Sequence, residues 1–402
     1  MTAELPDGEM RQVYLDHIAA TPLDPQVLET MLPFFRDNFG NPQSLHSAGQ
    51  EALVALEAAR ARVARLVGAD DSEITFTSSG SEANNFAIKG MAMARRDKGN
   101  HLVLSAIEHQ SILNSAKSLE KSGFSSSLVS VDKDGFVDPE AVRRAIKKET
   151  VLVSVILASS EVGTVEPVAE IARICREVGV PLHTDAVAAV GNIPVDVKAL
   201  GVDALSLAAD QFYGPKGSGA LFVKKGVRIL PFIDGGIQEG GRRAGTENVA
   251  AIVGMGKAAE IAGERLSERQ DRMTLLRNRL IDRLPQRVDR AYLTGHRERR
   301  LPHHASFCIE FIEGEAMLLN LDMKGVAVSS GSACTSRALK ASHVLLAMGI
   351  DHALAQGSLV FSLVDKTTAE DIDYLLDVLP PVVDRLRKMS PLYTKFLEES
   401  QK

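Results

Sequence analysis

The sequence predicts an α/β protein: a large domain built on a mostly parallel sheet flanked by helices, then a smaller α+β domain. Two patterns predict it. Segments with apolar residues at helical spacing alternate with short, nearly continuous apolar runs, as strands read when helices cover both faces of their sheet. After a long charged helix the alternation stops, and separate strands and helices follow.

In chain order, LVALEAARARVARL, from Leu53 to Leu66, is a helix that feeds the β-rich run VGADDSEITFTSS. NNFAIKGMAMARR, PEAVRRAIKK and AEIARICREVG are the next helices, each leading to a strand: HLVLSAIEH, VLVSVILAS and PLHTDAVAAV. Another strand, ALFVK, follows the turn-rich YGPKGSG. The Gly-rich DGGIQEGGRRAGTEN then leads into a helix from about Val249 to Leu280, whose many charges suit a bridge between two lobes. Beyond it ASFCIEFI and VAVSS are strands, and EDIDYLLDVLPPVVDRLRKM is a stretch of helices. The boundary is expected inside the long helix. Residues 15–260 would form the large domain, and 261–402, with 1–14, the small one.

Composition narrows the function. Of 402 residues, 45% are hydrophobic and 24% charged, which fits a folded globular chain and not a disordered one. The net charge of −6 gives no general drive toward nucleic acid or anionic lipid, so no direct nucleic-acid binding is expected. No apolar run approaches a membrane span, and the polar start MTAELPDGEMRQ lacks the apolar core of a signal peptide. A cytoplasmic location is expected. Cys175, Cys308 and Cys334 are too scattered for a disulfide framework and form no CxxC knuckle, so a special cysteine would work as a thiol.

Four segments carry chemistry. In SSGSEANN, Gly80 and Ser81 stand at a strand-to-helix junction, where free backbone N–H groups and the helix dipole favour an anion; the plain alternative is a Ser cap with Glu82 in the first turn. Asp185, in HTDAVAAVG, ends an apolar strand, and a buried carboxylate there needs a cationic or hydrogen-bonding partner. His109, closing the HLVLSAIEH strand, would stack on a flat ring or cap the edge. SSGSACTS surrounds Cys334 with small residues, as a loop that carries a thiol between two places or as a small apolar residue tucked under the second domain.

Placed in order with YLDHIAATPLDP, FGNPQSLHSAGQ, EVGTVEPV, YGPKGSGALFV, RRAGTENVAAIVGMGKA, EGEAMLL and SHVLLAMGI, these segments resemble the cysteine desulfurases, class V aminotransferase-like members of the fold-type I pyridoxal phosphate enzymes. The resemblance runs nearly end to end. It implies a large α/β domain, a small C-terminal domain and a homodimer with sites at the interface, in a family that supplies sulfur for iron–sulfur clusters and thiolated tRNA. It further implies that His109 stacks on the pyridine ring, Asp185 pairs with its nitrogen, Ser81 and Gly80 hold the phosphate, Thr246 reaches that phosphate from the partner subunit, and Cys334 takes sulfur as a persulfide.

The chain departs from the family at the reactive positions. Where the family has Ser-Gly-His-Lys before the Tyr-Gly-Pro-Lys-Gly turn, this chain has Ala208, Ala209, Asp210 and Gln211. A glutamine amide neither forms an imine with the cofactor aldehyde nor moves a proton. Asp210 would face the phosphate: unit charges roughly 4 Å apart interact by about 4 kcal/mol at an effective dielectric of 20. Ser159 replaces an Asn, Ala188 a Gln near the cofactor's phenolic oxygen, and Asp365 the Arg that clamps the substrate carboxylate. The expectation is a divergent desulfurase homologue that has lost the reaction starting from a lysine imine. It would handle sulfur or an iron–sulfur cluster through Cys334, as thiol or cluster ligand, with a scaffold or sulfur-acceptor protein. The alternatives are a pyridoxal phosphate enzyme holding its cofactor without a covalent bond, and a non-catalytic interaction subunit.

Overall fold

The computed structural model describes residues 11–331 and 341–400. Its strands in chain order are β1 (Val13–Tyr14), β2 (Ile74–Thr77), β3 (His101–Ser105), β4 (Ser125–Val129), β5 (Thr150–Ser154), β6 (Leu182–Asp185), β7 (Ala204–Ala208), β8 (Gly219–Val223), β9 (Ala291–Leu293), β10 (His304–Ile309), β11 (Val326–Ala327) and β12 (Ser358–Ser362). Seven of them form one sheet in the order β2-β8-β7-β6-β5-β3-β4. Within it β8 runs antiparallel to both neighbours, and every other pairing is parallel. The fold is the α/β architecture of fold-type I pyridoxal phosphate enzymes, with strands β3, β5, β6, β7 and β8 buried along their whole length, as the continuous apolar runs require.

The helix expected from Leu53 spans Ser47–Val67. His46 caps its start, and Gly68, with φ +70°, ends it in the left-handed conformation. Its buried stripe Leu56, Ala59, Val63 and Val67 lies against the long Val249–Arg287 helix. The two backbones touch at Gly256, where an added Cβ would meet the Cα of Ala59 at 2.6 Å. The long helix serves two cores. Ile252, Met255, Ala258 and Ala262 pack under the large sheet, while Met273, Leu280 and Leu284 pack with Val13, Leu15, Phe307, Phe361 and Leu375 against the antiparallel sheet β12-β10-β9.

Three elements differ from the sequence reading. HTDAVAAVG is strand only to Asp185, because the Asp185 carboxylate accepts the Val187 N–H and turns the chain away from the sheet. The strand expected through His109 stops at Ser105, and His109 instead caps the Gln110–Glu120 helix. EDIDYLLDVLPPVVDRLRKM is one helix, Ala369–Lys388, running through Pro380 and Pro381; burial of Leu376, Leu379, Val382 and Val383 overrides the cost of the prolines. Helix Gln110–Glu120 and strands β4 and β7 were not foreseen. β4 is a polar edge strand without an apolar run, and β7, Ala-Leu-Ser-Leu-Ala, is a short buried run of the kind that periodicity alone does not assign.

Candidate functional site

Beyond the C-terminal ends of β3, β5, β6 and β7 lies a cavity of about 510 Å³. Gly80, Ser81, His109, Asp185, Ala188, Ala208, Asp210 and Gln211 all line it. A larger hollow of about 670 Å³, between Phe311 and Phe396 on the small domain, holds none of them.

At one end of the cavity the Gly80–Ala94 helix begins. Ser79 is its cap, its Oγ accepting the Glu82 N–H at 3.1 Å, so the capping alternative is realised one residue after Ser78. Glu82 is held by the Ser78 N–H and by Arg243. The Gly80 and Ser81 amides, which open the helix, have no carbonyl partner within it, while that of Glu82 is taken by the cap. An added Cβ at position 80 would stand 2.5 Å from Val187 Cγ2, so the turn after Asp185 lies close against the helix start and a larger residue would have to displace it.

Asp185 is buried. Its Oδ1 accepts the Val187 N–H at 2.9 Å and its Oδ2 the Asn84 amide at 2.6 Å. Burial raises its pKa, against the pull of His109. Among the described residues no Lys or Arg pairs with it. The Asn84 amide also donates to Ser111 Oγ, which lies 2.7 Å from His109 Nδ1. Because Nδ1 accepts the Ser111 N–H, the neutral imidazole carries its proton on Nε2. Asp185, Asn84, Ser111 and His109 are thus one hydrogen-bonded chain, and the buried Oδ1 of Asn84 has no partner among the described residues. Sequence reading missed Asn84, although it lies one helical turn after Gly80 and so faces the same side.

Asp210 and Gln211 sit in a turn at the end of β7, beside the helix start, since an added Cβ at Gly80 would lie 3.5 Å from Ala208 Cβ. Gln211 is buried, with its amide donating to the Ile18 carbonyl at 3.2 Å and its own carbonyl meeting His17 Nε2 and the Asn192 amide. Asp210 is half-buried, and its backbone carbonyl accepts both the N–H and the hydroxyl of Thr21. Burial raises its carboxyl pKa, opposed by a bond from Gln211 and by Lys216. The mouth holds Glu161 and His343. Burial pushes Glu161 up to about 7, against the Ser342 hydroxyl that donates to it; His343 donates to the Glu108 carbonyl, and burial lowers its pKa.

Three positions singled out from the sequence lie elsewhere. Ser159 turns away from the cavity, its Oγ accepting the Glu161 and Val162 N–H groups, while Ser160 lines it. Asp365 is drawn to Arg269, 2.8 Å away, which also stacks over the Tyr213 ring; the carboxylate belongs to an internal ion pair and not to the cavity wall. Thr246 is exposed and does not line the cavity of its own chain. Cys334 lies outside the described residues.

A family model described as aminotransferase class V matches residues 13–375. The chain belongs to that family. Similar members include the cysteine desulfurase IscS of Clostridium botulinum strain Hall, 49% identical over 97% of this chain and 99% of that protein, and the IscS of Dictyoglomus turgidum, 48% identical over 95% and 97%. Among solved structures, a NifS-like protein superposes with a TM-score of 0.88 at 38% identity, over 94% of this chain and all of that one. A NifS-like protein from Rickettsia africae gives 0.84 at 32%, over 93% of this chain and all of that one.

In this class V aminotransferase member, half of the cavity fits a pyridoxal phosphate group and half does not. A buried carboxylate with no cation among the described residues, an imidazole beside it and a helix start opened by glycine suit a protonated ring nitrogen, a ring face and a phosphate. The carboxamide of Gln211 supplies no amine for a covalent bond. Residues Ala188 and Ala208 add no polar contact. Among the described residues, no helix is long and apolar enough to cross a membrane.

Proposed function

We propose that this chain is a divergent cysteine desulfurase homologue that works in sulfur or iron–sulfur cluster handling without the lysine-dependent reaction. One observation carries this: at the end of β7, where the chemistry needs an amine, Gln211 is buried with its amide on the Ile18 carbonyl. The kinship with proteins named cysteine desulfurase supports the sulfur role. Cys334 would be the thiol that carries sulfur or ligates the cluster. Burial pushes the thiols of Cys175 and Cys308 up to about 12, which leaves both protonated and poor nucleophiles at neutral pH. A homodimer acting in the cytoplasm with an iron–sulfur scaffold or sulfur acceptor completes the proposal.

The test is anaerobic incubation of the full chain with ferrous iron, sulfide and a purified scaffold protein, followed by visible absorption. We expect a cluster chromophore that is lost in Cys334→Ala, together with no sulfide release from free cysteine above a protein-free blank. Indifference to Cys334→Ala, or cysteine turnover at ordinary enzymatic rates, would overturn the proposal.

The Asp185, Asn84 and His109 chain favours a second element: the cavity still holds pyridoxal phosphate, without a covalent bond. When bound, that group supplies an electron-withdrawing ring. Asp185 would hold the ring nitrogen in its protonated state, His109 would cover one ring face, and the Gly80 and Ser81 turn would bind the phosphate. Each of these roles needs only binding and orientation, and none needs Gln211.

A further inference from the structure

Building on that pocket reading, we propose that Asn84 is a positioning residue: its carboxamide holds the Asp185 side chain as a charged acceptor for a cationic ring nitrogen. Of the ten buried residues of the Gly80–Ala94 helix, Asn84 alone has a polar side chain. Its helix neighbours Ala83, Phe86, Ala87, Ile88 and Met91 lie in an apolar cluster, and a residue that only filled space at position 84 would need no polar atom. Asn84 lines the cavity together with Asp185 and His109.

The hydrogen bonds fix what this amide does. Its nitrogen donates to Asp185 Oδ2 at 2.6 Å and to Ser111 Oγ at 2.9 Å, which uses both N–H bonds. Turned over, the amide would set its oxygen against the carboxylate, so Asp185 decides its orientation. The oxygen left over, Oδ1, is buried without a partner among the described residues. An amide that spends both donors and leaves its acceptor idle carries the cost of an unmet carbonyl, and the return is at Asp185. Burial disfavours the charge on that carboxylate, and little opposes burial: the Val187 N–H on Oδ1, the Asn84 amide on Oδ2 and the His109 ring. Asn84 is the one side chain that donates to it among the described residues. Glu108, the other titratable group acting on it, lies in the turn after β3 and opposes a second negative charge. Glu161 and Asp210 line the same cavity but are not among the groups that act on Asp185. Without Asn84 the Asp185 carboxyl would take up a proton more readily, and that proton would have to leave before the side chain could hold a cationic nitrogen.

Two measurements with opposite pH trends test this. The first is denaturant unfolding of the ligand-free, full-length protein between pH 5 and pH 9. Asn84→Leu, close in shape but without donors, should lower the folding equilibrium constant about tenfold more at pH 9 than at pH 5, because only ionised Asp185 needs the donor. That excess should vanish in the Asp185→Asn background, and the comparison cancels the contributions that His109 and Glu108 make to every variant. Asn84→Asp keeps the shape with acceptors only and covers the case of a leucine variant that does not fold. Its destabilisation should also grow with pH, since two ionised carboxyls repel where one shared proton joins them. A destabilisation independent of pH, or one that persists in Asp185→Asn, overturns the role of Asn84 and leaves the pocket reading intact. The second measurement is a pyridoxal phosphate titration followed by absorption. Asn84→Leu should weaken binding about tenfold at pH 5 and less than about threefold at pH 9, where no extra proton has to leave. Equal weakening at both pH values overturns the inference. Failure of the parent chain to bind overturns the pocket reading, and the ligand-free measurement then decides by itself whether Asn84 governs the charge on Asp185.

Discussion

The two ends of the cavity have had different fates. At the Asp185 end, side chains from the end of β6, the Gly80–Ala94 helix and the capped start of the Gln110–Glu120 helix form one hydrogen-bonded chain. At the Gln211 end the backbone is held just as firmly, by Thr21, His17 and Asn192, yet the Gln211 carboxamide offers no amine for a covalent bond. The difference shows that a site's scaffold and its reactivity are separable. The turn that carries Gln211 is held by backbone hydrogen bonds, which are indifferent to what the side chain is.

The largest effect is expected at the Asp185 end. Asp185→Asn keeps the side-chain shape, and the Asn84 amide can rotate to offer its unpartnered oxygen, so the fold should survive. The lost charge should weaken pyridoxal phosphate binding by roughly a hundredfold, or about 2.7 kcal/mol, in an absorption or fluorescence titration. Gln211→Ala should change the same affinity by no more than about threefold. Comparable losses at both positions would break the contrast.

Gly80→Ala probes the contact that joins the helix start to the Asp185 turn. A Cβ 2.5 Å from Val187 Cγ2 must push one of them aside, at a cost of about 1–3 kcal/mol in denaturant unfolding and with weaker anion binding. A neutral substitution would mean that the turn and helix are not tightly apposed.

Beneath the cavity, Glu108 is fully buried, with one oxygen bonded to Ser105 and the Ile156 N–H and the other without a partner among the described residues. Burial pushes it from its ordinary 4.5 up to about 8, and nearby Asp185 adds to this. The folded protein therefore binds the proton more tightly than the unfolded chain. Its favourable effect is fully present below pH 4.5 and fades as pH rises toward 8, at a limiting slope of about 1.4 kcal/mol per pH unit. Glu108→Gln should gain stability relative to the parent between pH 5.5 and pH 8.5, measured by denaturant unfolding. A difference independent of pH would contradict the buried proton.

The smallest effect on binding is expected at Asp365. Asp365→Asn should alter pyridoxal phosphate affinity less than about twofold, because Asp365 faces Arg269 and not the cavity. Asp365→Arg, the residue that the resemblance implies here, should lower the unfolding midpoint by setting a third cation beside Arg269 and Arg272. A gain in cysteine binding with unchanged stability would show that the position still faces the substrate.

Much of this was legible in the sequence. The helix–strand alternation announces the parallel sheet, and the motifs single out Gly80, His109, Asp185 and Gln211, which share one cavity. What was not legible depended on partners far apart in the chain. Nothing near Asp365 announces Arg269, and nothing in the SSGSEANN motif says that Asn84 meets Asp185. Ser159 and Ser160 are neighbours of the same type, and only the turn that uses one hydroxyl for itself decides which faces the cavity. His109 reads as the end of a strand because it follows the apolar run from Leu102 to Ile107, whereas its ring caps the next helix.

The most direct measurement is the intact mass of the protein after loading with pyridoxal phosphate, reduction with borohydride and removal of free ligand under denaturing conditions. The unmodified mass is expected, with a single stable adduct appearing only in Gln211→Lys. A stoichiometric adduct on the parent chain, at Lys216 or any other lysine, would contradict the central claim that this cavity holds its ligand without a covalent bond.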